Sequence, residues 1–258
     1  ARAMEVPMVF GTYDRDPAGE YNAAAFMDPR EGLLGFYRKT YPFVLTEYVP
    51  AWLEGPTLRR LLPWAGQWRA GDGARVFPLR LRDGREVPVV PLICLDDVNP
   101  DVALDGARLG ARAILGMSND SWFTDYPVGA QLHLTVAAFR SIETRLPQVR
   151  VTANGYSAVI TSTGEVTART AMGERTLLVG EFTPRDAGGT LVMRWGEWLG
   201  PVSLLALLAW WLMGWWRGRA ARRARTADLA SRRADALVGA LLPTAWRVLA
   251  GVLRLAAT

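Results

Sequence analysis

Residues 86–100 read EVPVVPLICLDDVNP, and this stretch decides the fold. Val87–Cys94 is a short, unbroken run rich in Val, Leu and Ile. A strand covered on both faces reads this way, whereas a strand with one wet face alternates. The run stops at Cys94 and turns at once into LDDVNPDV. A cysteine at the carboxyl end of a buried strand, where a turn or helix begins, stands where backbone N–H groups can stabilise a thiolate and then an oxyanion. On position alone two readings of Cys94 stand: a nucleophile, or the buried structural thiol that a free cysteine usually is.

Outward from this run, further strands are expected at Pro7–Tyr13, Ala23–Met27, Val76–Leu81, Ala113–Met117, Val149–Ala153, Ala158–Thr161 and Leu177–Phe182. Helical spacing of apolar residues predicts helices over Val102–Arg112 and Ala130–Arg145. LRDGRE (81–86) and TSTGEV (161–166) read as hairpin turns between strand pairs. Strands mixed with helices in this way imply a layered α/β or α+β domain over about residues 1–190.

Composition narrows the function. The chain has 258 residues, one Cys and one His. One Cys permits no intrachain disulfide and no thiolate zinc cluster, and one His excludes a multi-His metal site. No cofactor or metal is expected. Of 30 basic residues 29 are Arg and one, Lys39, is Lys. Residues 217–258 hold nine Arg against two Asp, a net of +7, which leaves −2 for the first 216 residues. The basic character therefore belongs to the tail, and a nucleic-acid partner is not expected of the body.

Residues 198–216, WLGPVSLLALLAWWLMGWW, carry no charge and are bracketed by Glu197 and Arg217. At about 1.5 Å per residue this run spans about 28 Å, close to the ~30 Å hydrocarbon core of a bilayer. Trp198 stands at one end and Trp215 and Trp216 at the other, as in an aromatic belt. The basic run from Arg217 to Arg225 then predicts a cytoplasmic C-terminus, with the preceding domain outside the cytoplasm, periplasmic if there is an outer membrane. The expected organisation is a catalytic domain over 1–196, a transmembrane helix over 197–217 and a basic cytoplasmic tail over 218–258. Within the tail, 236–257 is read as an amphipathic helix carrying Arg247 and Arg254, interrupted at Pro243.

Three other residues invite chemistry. In a chain that uses Arg for charge, a single Lys39 suggests a need for a compact ammonium. Glu47 follows eight residues later in YRKTYPFVLTEYVP; alone it reads as a surface carboxylate. His133 lies on a helical stretch and reads as a packing or hydrogen-bonding residue. SNDSWF (118–123) is either a capped turn with Trp122 packed on the core or a loop beside a site. AWLEGPTLRRLLPWAGQW (51–68) is either a packed surface helix or an interfacial segment.

Several motifs occur in a fixed order: YNAAAFMDP, then Tyr37-Arg38-Lys39, Glu47-Tyr48-Val49-Pro50, PLIC, SNDSWF, HL…FRSIET and TANGYSAVITSTGEV. Together they resemble the nitrilase (carbon–nitrogen hydrolase) superfamily and, within it, the apolipoprotein N-acyltransferase family. The resemblance implies an αββα sandwich with a Glu–Lys–Cys triad. Cys94 matches the family's nucleophile, Lys39 its lysine and Glu47 the second glutamate near that lysine. It further implies transfer of an acyl chain from a phospholipid to the N-terminal amine of an apolipoprotein, by a catalytic domain on the extracytoplasmic or periplasmic face of a bacterial inner membrane. A membrane-anchored amidase of the same superfamily and an inactive relative are the alternatives.

There are departures. Val44-Leu45-Thr46 stands where the family has Pro-Phe-Gly, and Leu95-Asp96 where it often has Tyr-Glu. The family's general-base glutamate is unmatched: only 38 residues precede Lys39, and Glu5 and Glu20 fall in other segments. The family's preceding membrane helices are unmatched as well. A chain truncated at its N-terminus, part of a longer reading frame, is the expectation.

Overall fold

The computed structural model describes residues 1–255. They divide into two units, Ala1–Gly196 and a second that begins at Glu197. In the first unit, β1 (Met8–Asp16), β2 (Gly19–Asp28) and β3 (Gly32–Arg38) form an antiparallel sheet in the order β1-β2-β3. A short helix α1 (Pro56–Leu61) follows. Then β4 (Phe77–Arg80), β5 (Glu86–Ile93), α2 (Pro100–Arg108), β6 (Ala113–Asn119), α3 (Pro127–Thr144), β7 (Gln148–Ala153), β8 (Ala158–Ile160) and β9 (Val166–Arg169) build a six-stranded sheet in sequence order. Its central strands β5, β6 and β7 are parallel, and both edges close with antiparallel hairpins. The predicted turns at LRDGRE and TSTGEV join these hairpins, closed by Leu81 N–H to Arg85 O and Thr161 N–H to Glu165 O.

The two sheets stack face to face. Phe26 of β2 and Phe77 of β4 lie parallel, ring centroids 4.0 Å apart. Ala24, Phe26 and Tyr37 share one buried cluster with Val87, Val89, Leu92 and Ile114. The unbroken apolar run of β5 has its cause here: one face meets the first sheet and the other meets α2. A Cβ at Gly106 of α2 would run into Val90 of β5, so only glycine lets this helix lie so close. Asn99 caps α2 by accepting from Asp101 N–H at 2.9 Å, with Pro100 at the first helical position.

Two readings change. Leu177–Phe182 forms no strand among the described residues; its hydrophobics Leu177 and Val179 are exposed, so β-branched composition had no sheet edge to join. β3 was not anticipated, because two glycines in GLLGFYR weaken its strand pattern. On the outer face of the three-stranded sheet, Met8, Phe10 and Leu33 remain exposed.

The second unit contains α5 (Leu199–Leu255), which follows a one-turn α4 (Leu191–Trp195) at the end of the first. Leu199–Ala220 of α5 has a mean hydropathy of 1.4 over its apolar window and no residue of that window is buried, so it is long and apolar enough to cross a membrane. The backbone stays helical across position 243, where a break was expected. The amphipathic face expected to carry Arg247 and Arg254 rests on side chains outside the described residues, and 256–257 lie outside them as well.

Candidate active site

Cys94 is the first residue after β5 and opens a short 3-10 turn, Cys94–Asp97. It takes φ +52°, a left-handed conformation costly for a residue with a Cβ. Ile93 pairs with Met117 in the parallel register, which sets Cys94 beside Ser118 at the carboxyl ends of β5 and β6. Ser118 Oγ donates to Asp120 Oδ1 at 2.6 Å, and its hydroxyl favours the ionised form of the neighbouring thiol. Crevices at the carboxyl ends of parallel strands are where α/β sheets bind ligands.

Lys39 comes from the other sheet, one residue beyond β3. Its N–H bonds Asn22 O at 2.8 Å, and its side chain is 1% exposed. Nζ meets Glu47 Oε2 at 2.6 Å. Glu47 also accepts from Phe43 N–H at 2.7 Å and from Asn22 Nδ2 at 2.9 Å. Leu45, at φ +61°, turns the chain so that Glu47 folds back over its own loop. With three donors on its two oxygens, Glu47 is built to hold Lys39 in one orientation.

Lys39 lies near enough to Cys94 to act on its ionisation. Burial, the largest influence, pushes the thiol up from its ordinary range; the Lys39 ammonium and the Ser118 hydroxyl pull it down, while Glu47 and Asp97 push it up. The net direction is upward. The three predicted residues thus gather at one place: Cys94 from the six-stranded sheet, and Lys39 with Glu47 from the loop after the three-stranded one.

Sequence reasoning read His133 as a packing or hydrogen-bonding residue and named Asp96, but it did not connect the polar groups beneath the cysteine turn. Asp96 and Asp97 are fully buried. Asp96 accepts from Tyr37 Oη at 2.7 Å, Tyr41 N–H at 2.9 Å and Ile93 N–H at 3.0 Å, tying the turn to the end of β3. Burial nevertheless pushes its carboxyl up to about 6. Asp97 pairs with Arg150 of β7, which also reaches Asp120 at 3.5 Å. His133 of α3 places Nδ1 3.0 Å from Asp120 and Nε2 3.3 Å from the Cys94 carbonyl. Burial pushes Asp120 up, but hydrogen bonds from His133 and Ser118 and the charges of Arg150 and His133 outweigh it and hold the carboxyl below its usual range. A fully buried arginine such as Arg150 needs partners, but the sequence did not say which two carboxylates it would find.

SNDSWF therefore lies beside the site: the Ser118 hydroxyl acts on the ionisation of the thiol, whereas Trp122 is exposed and does not pack on the core. Glu20 pairs with Arg15 near the surface at 2.9 Å. Among the described residues no group of His, Cys, Asp and Glu is arranged to hold a metal ion.

Residues 1–190 match the carbon-nitrogen hydrolase family. The chain belongs to that family. Among curated relatives of this carbon-nitrogen hydrolase chain are an apolipoprotein N-acyltransferase 2 of Treponema denticola, 28% identical over 79% of this chain and 39% of that protein, and an apolipoprotein N-acyltransferase of Bdellovibrio bacteriovorus, 32% identical over 78% and 38%. The chain thus spans under two fifths of the length of these relatives. A solved carbon-nitrogen hydrolase from Helicobacter pylori G27 is similar at TM-score 0.48 and 17% identity, covering 66% of this chain and 59% of that one.

Proposed function

We propose that this chain is the catalytic part of an enzyme that transfers an acyl chain from a phospholipid to the N-terminal diacylglyceryl-cysteine amine of an apolipoprotein. The observation that carries the reading is that the chain's one lysine lies near enough to its one cysteine, at the end of a buried parallel strand, to act on the thiol's ionisation. The naming of its curated relatives as apolipoprotein N-acyltransferases supports the substrate class.

Burial pushes the Cys94 thiol up, so a base has to take its proton before attack. The resemblance gives that task to a glutamate matched by no residue of this chain. The thiolate then adds to the ester carbonyl of the donor. The C–O bond to glycerol breaks, and the alkoxide takes up a proton and departs as lysophospholipid. The acyl group stays on Cys94 as a thioester. Lys39, fixed by Glu47, faces the developing oxyanion. In the second half the acceptor's α-amine adds to the thioester, loses a proton and expels the Cys94 thiolate. The amide formed is more stable than the thioester, so transfer runs forward.

Leu199–Ala220 anchors the catalytic unit to the membrane in this reading, with that unit on the extracytoplasmic face and the C-terminus in the cytoplasm. Residues 51–68 supply a lipid-facing surface: Trp52, Leu61 and Trp64 are exposed, while Gly66 N–H on Thr46 O and Trp68 N–H on Glu47 O tether the segment to the glutamate's loop. Apolar side chains with arginines between them suit a bilayer interface.

The test is acyl-enzyme trapping. The full protein in phospholipid vesicles carrying a tagged acyl chain should gain the tag on Cys94 and lose it on addition of a diacylglyceryl-cysteine peptide. A cysteine that stays unlabelled by lipid yet is acylated by a small soluble amide supports the amidase reading instead.

A further inference from the structure

The end of the apolar window in α5 carries a cluster that the acyl-transfer chemistry does not use. Trp215, Gly218, Arg219 and Arg222 are spaced i, i+3, i+4 and i+7, so they share one face of the helix. Side chains on a helix lean toward its N-terminus, here back toward the apolar window. Both arginines do so. The Arg219 guanidinium lies over the Trp215 ring, 4.3 Å from its centroid. Arg222 reaches back one turn, where its Nη2 would stand 3.9 Å from a Cβ placed on Gly218. The geometry points to a phosphate-binding site on this face, in which Arg219 and Arg222 hold the headgroup of an anionic phospholipid over Gly218, in the leaflet where Leu199–Ala220 ends. The site rests on the reading of Leu199–Ala220 as a membrane span.

Each member suits that ligand. A guanidinium presents a planar fork of donors that matches phosphate oxygens, and two of them on one face suit a single headgroup. Trp215 meets Trp216 edge to face at 6.3 Å, and tryptophans at the end of a span sit at headgroup depth. Stacking on that ring keeps Arg219 at the same depth instead of letting it extend into water. Gly218 puts no side chain into the space that Arg222 faces. Opposing charge on the protein lies elsewhere. Residues 217–225 hold five Arg and no acid. Asp228 pairs with Arg232 at 3.0 Å, and among the described residues no carboxylate pairs with Arg219 or Arg222. A basic run next to a span attracts anionic lipid in general; the convergence of two of its arginines beside one glycine and one tryptophan gives that attraction a place.

The site is tested on the full protein in phosphatidylcholine vesicles with a trace of spin-labelled phosphatidylglycerol or, in parallel, spin-labelled phosphatidylcholine. The motionally restricted share of each label in the EPR spectrum gives the preference for one headgroup over the other. Wild type should favour phosphatidylglycerol at least about threefold. Arg219→Gln with Arg222→Gln should bring that ratio below about 1.5. Arg217→Gln with Arg225→Gln removes the same charge from other faces and should leave it above about twofold. Gly218→Leu changes no charge and strengthens the helix; by filling the space beside Arg222 it should also bring the ratio below about 1.5. Equal losses in the two arginine pairs, or a Gly218→Leu ratio equal to that of wild type, overturn the site in favour of diffuse attraction. A chain stripped from the vesicles by alkaline carbonate overturns the span and the site with it. A chain that resists stripping yet shows no headgroup preference overturns the site alone.

Discussion

The two sheets contribute to the site in different ways. The three-stranded sheet delivers Lys39 on a single ion pair, with Glu47 as anchor and Asn22 and Phe43 N–H as its supports. The six-stranded sheet delivers Cys94 on a buried web of four ionisable groups, Asp97, Asp120, His133 and Arg150, with Asp96 alongside. The difference follows from strand geometry. β3 runs out into a loop, so one strong pair must fix a long side chain. β5 ends in a strained turn, so the backbone itself has to be held, and several buried groups do it.

The largest effect expected is on the cysteine side. Cys94→Ser should abolish the tagged thioester and lower turnover by at least about 10^4-fold; persistent labelling would remove the nucleophile from the site. Lys39→Arg comes next, at about 10^2- to 10^3-fold in kcat, because the planar guanidinium cannot replace a compact ammonium held by Glu47. Steady-state kinetics on phospholipid vesicles measure it, and near-normal turnover would make Lys39 a mere structural cation. Glu47→Gln keeps the shape and loses the charge. It should cost about 10^2-fold in kcat by letting the lysine drift, with the smaller part of the change in KM. A loss larger than that of Lys39→Arg would mean the glutamate acts on substrate directly.

The smallest effect concerns stability. Burial raises Asp96 from 3.8 to about 6. Its folded carboxyl thus resists ionisation more than the unfolded one does. The stability it contributes is complete below about pH 4 and is lost as pH rises through about 6. The difference is about 3 kcal/mol. Urea melts at pH 4 and pH 7 should show wild type losing about that much more than Asp96→Asn; parallel pH profiles would contradict the burial of an ionisable Asp96.

Much of the first unit was legible from sequence. β5 announced itself because a strand covered on both faces must be apolar without interruption, and the α2 and α3 stretches by their 3.6-residue spacing. β3 stayed hidden because its glycines broke the pattern, although it carries Tyr37 and leads into Lys39. Leu177–Phe182 misled because strand composition is not strand pairing. At the site, rarity singled out Cys94 and Lys39 as the one Cys and one Lys of the chain. Nothing local marked Asp97, Asp120, His133 and Arg150 as a set, since they come from four segments up to 53 residues apart.

The amino-acid order alone determined the run of β5, the cysteine at its end, the membership of the motifs in one family and the apolar helix after Gly196, because each depends on residues adjacent along the chain. The tertiary structure alone decided that Lys39 is clamped by Glu47 and that His133 reaches the Cys94 carbonyl. Those contacts are set by sheet register and by the stacking of two sheets, and partners chosen by register leave no mark on the sequences that flank them.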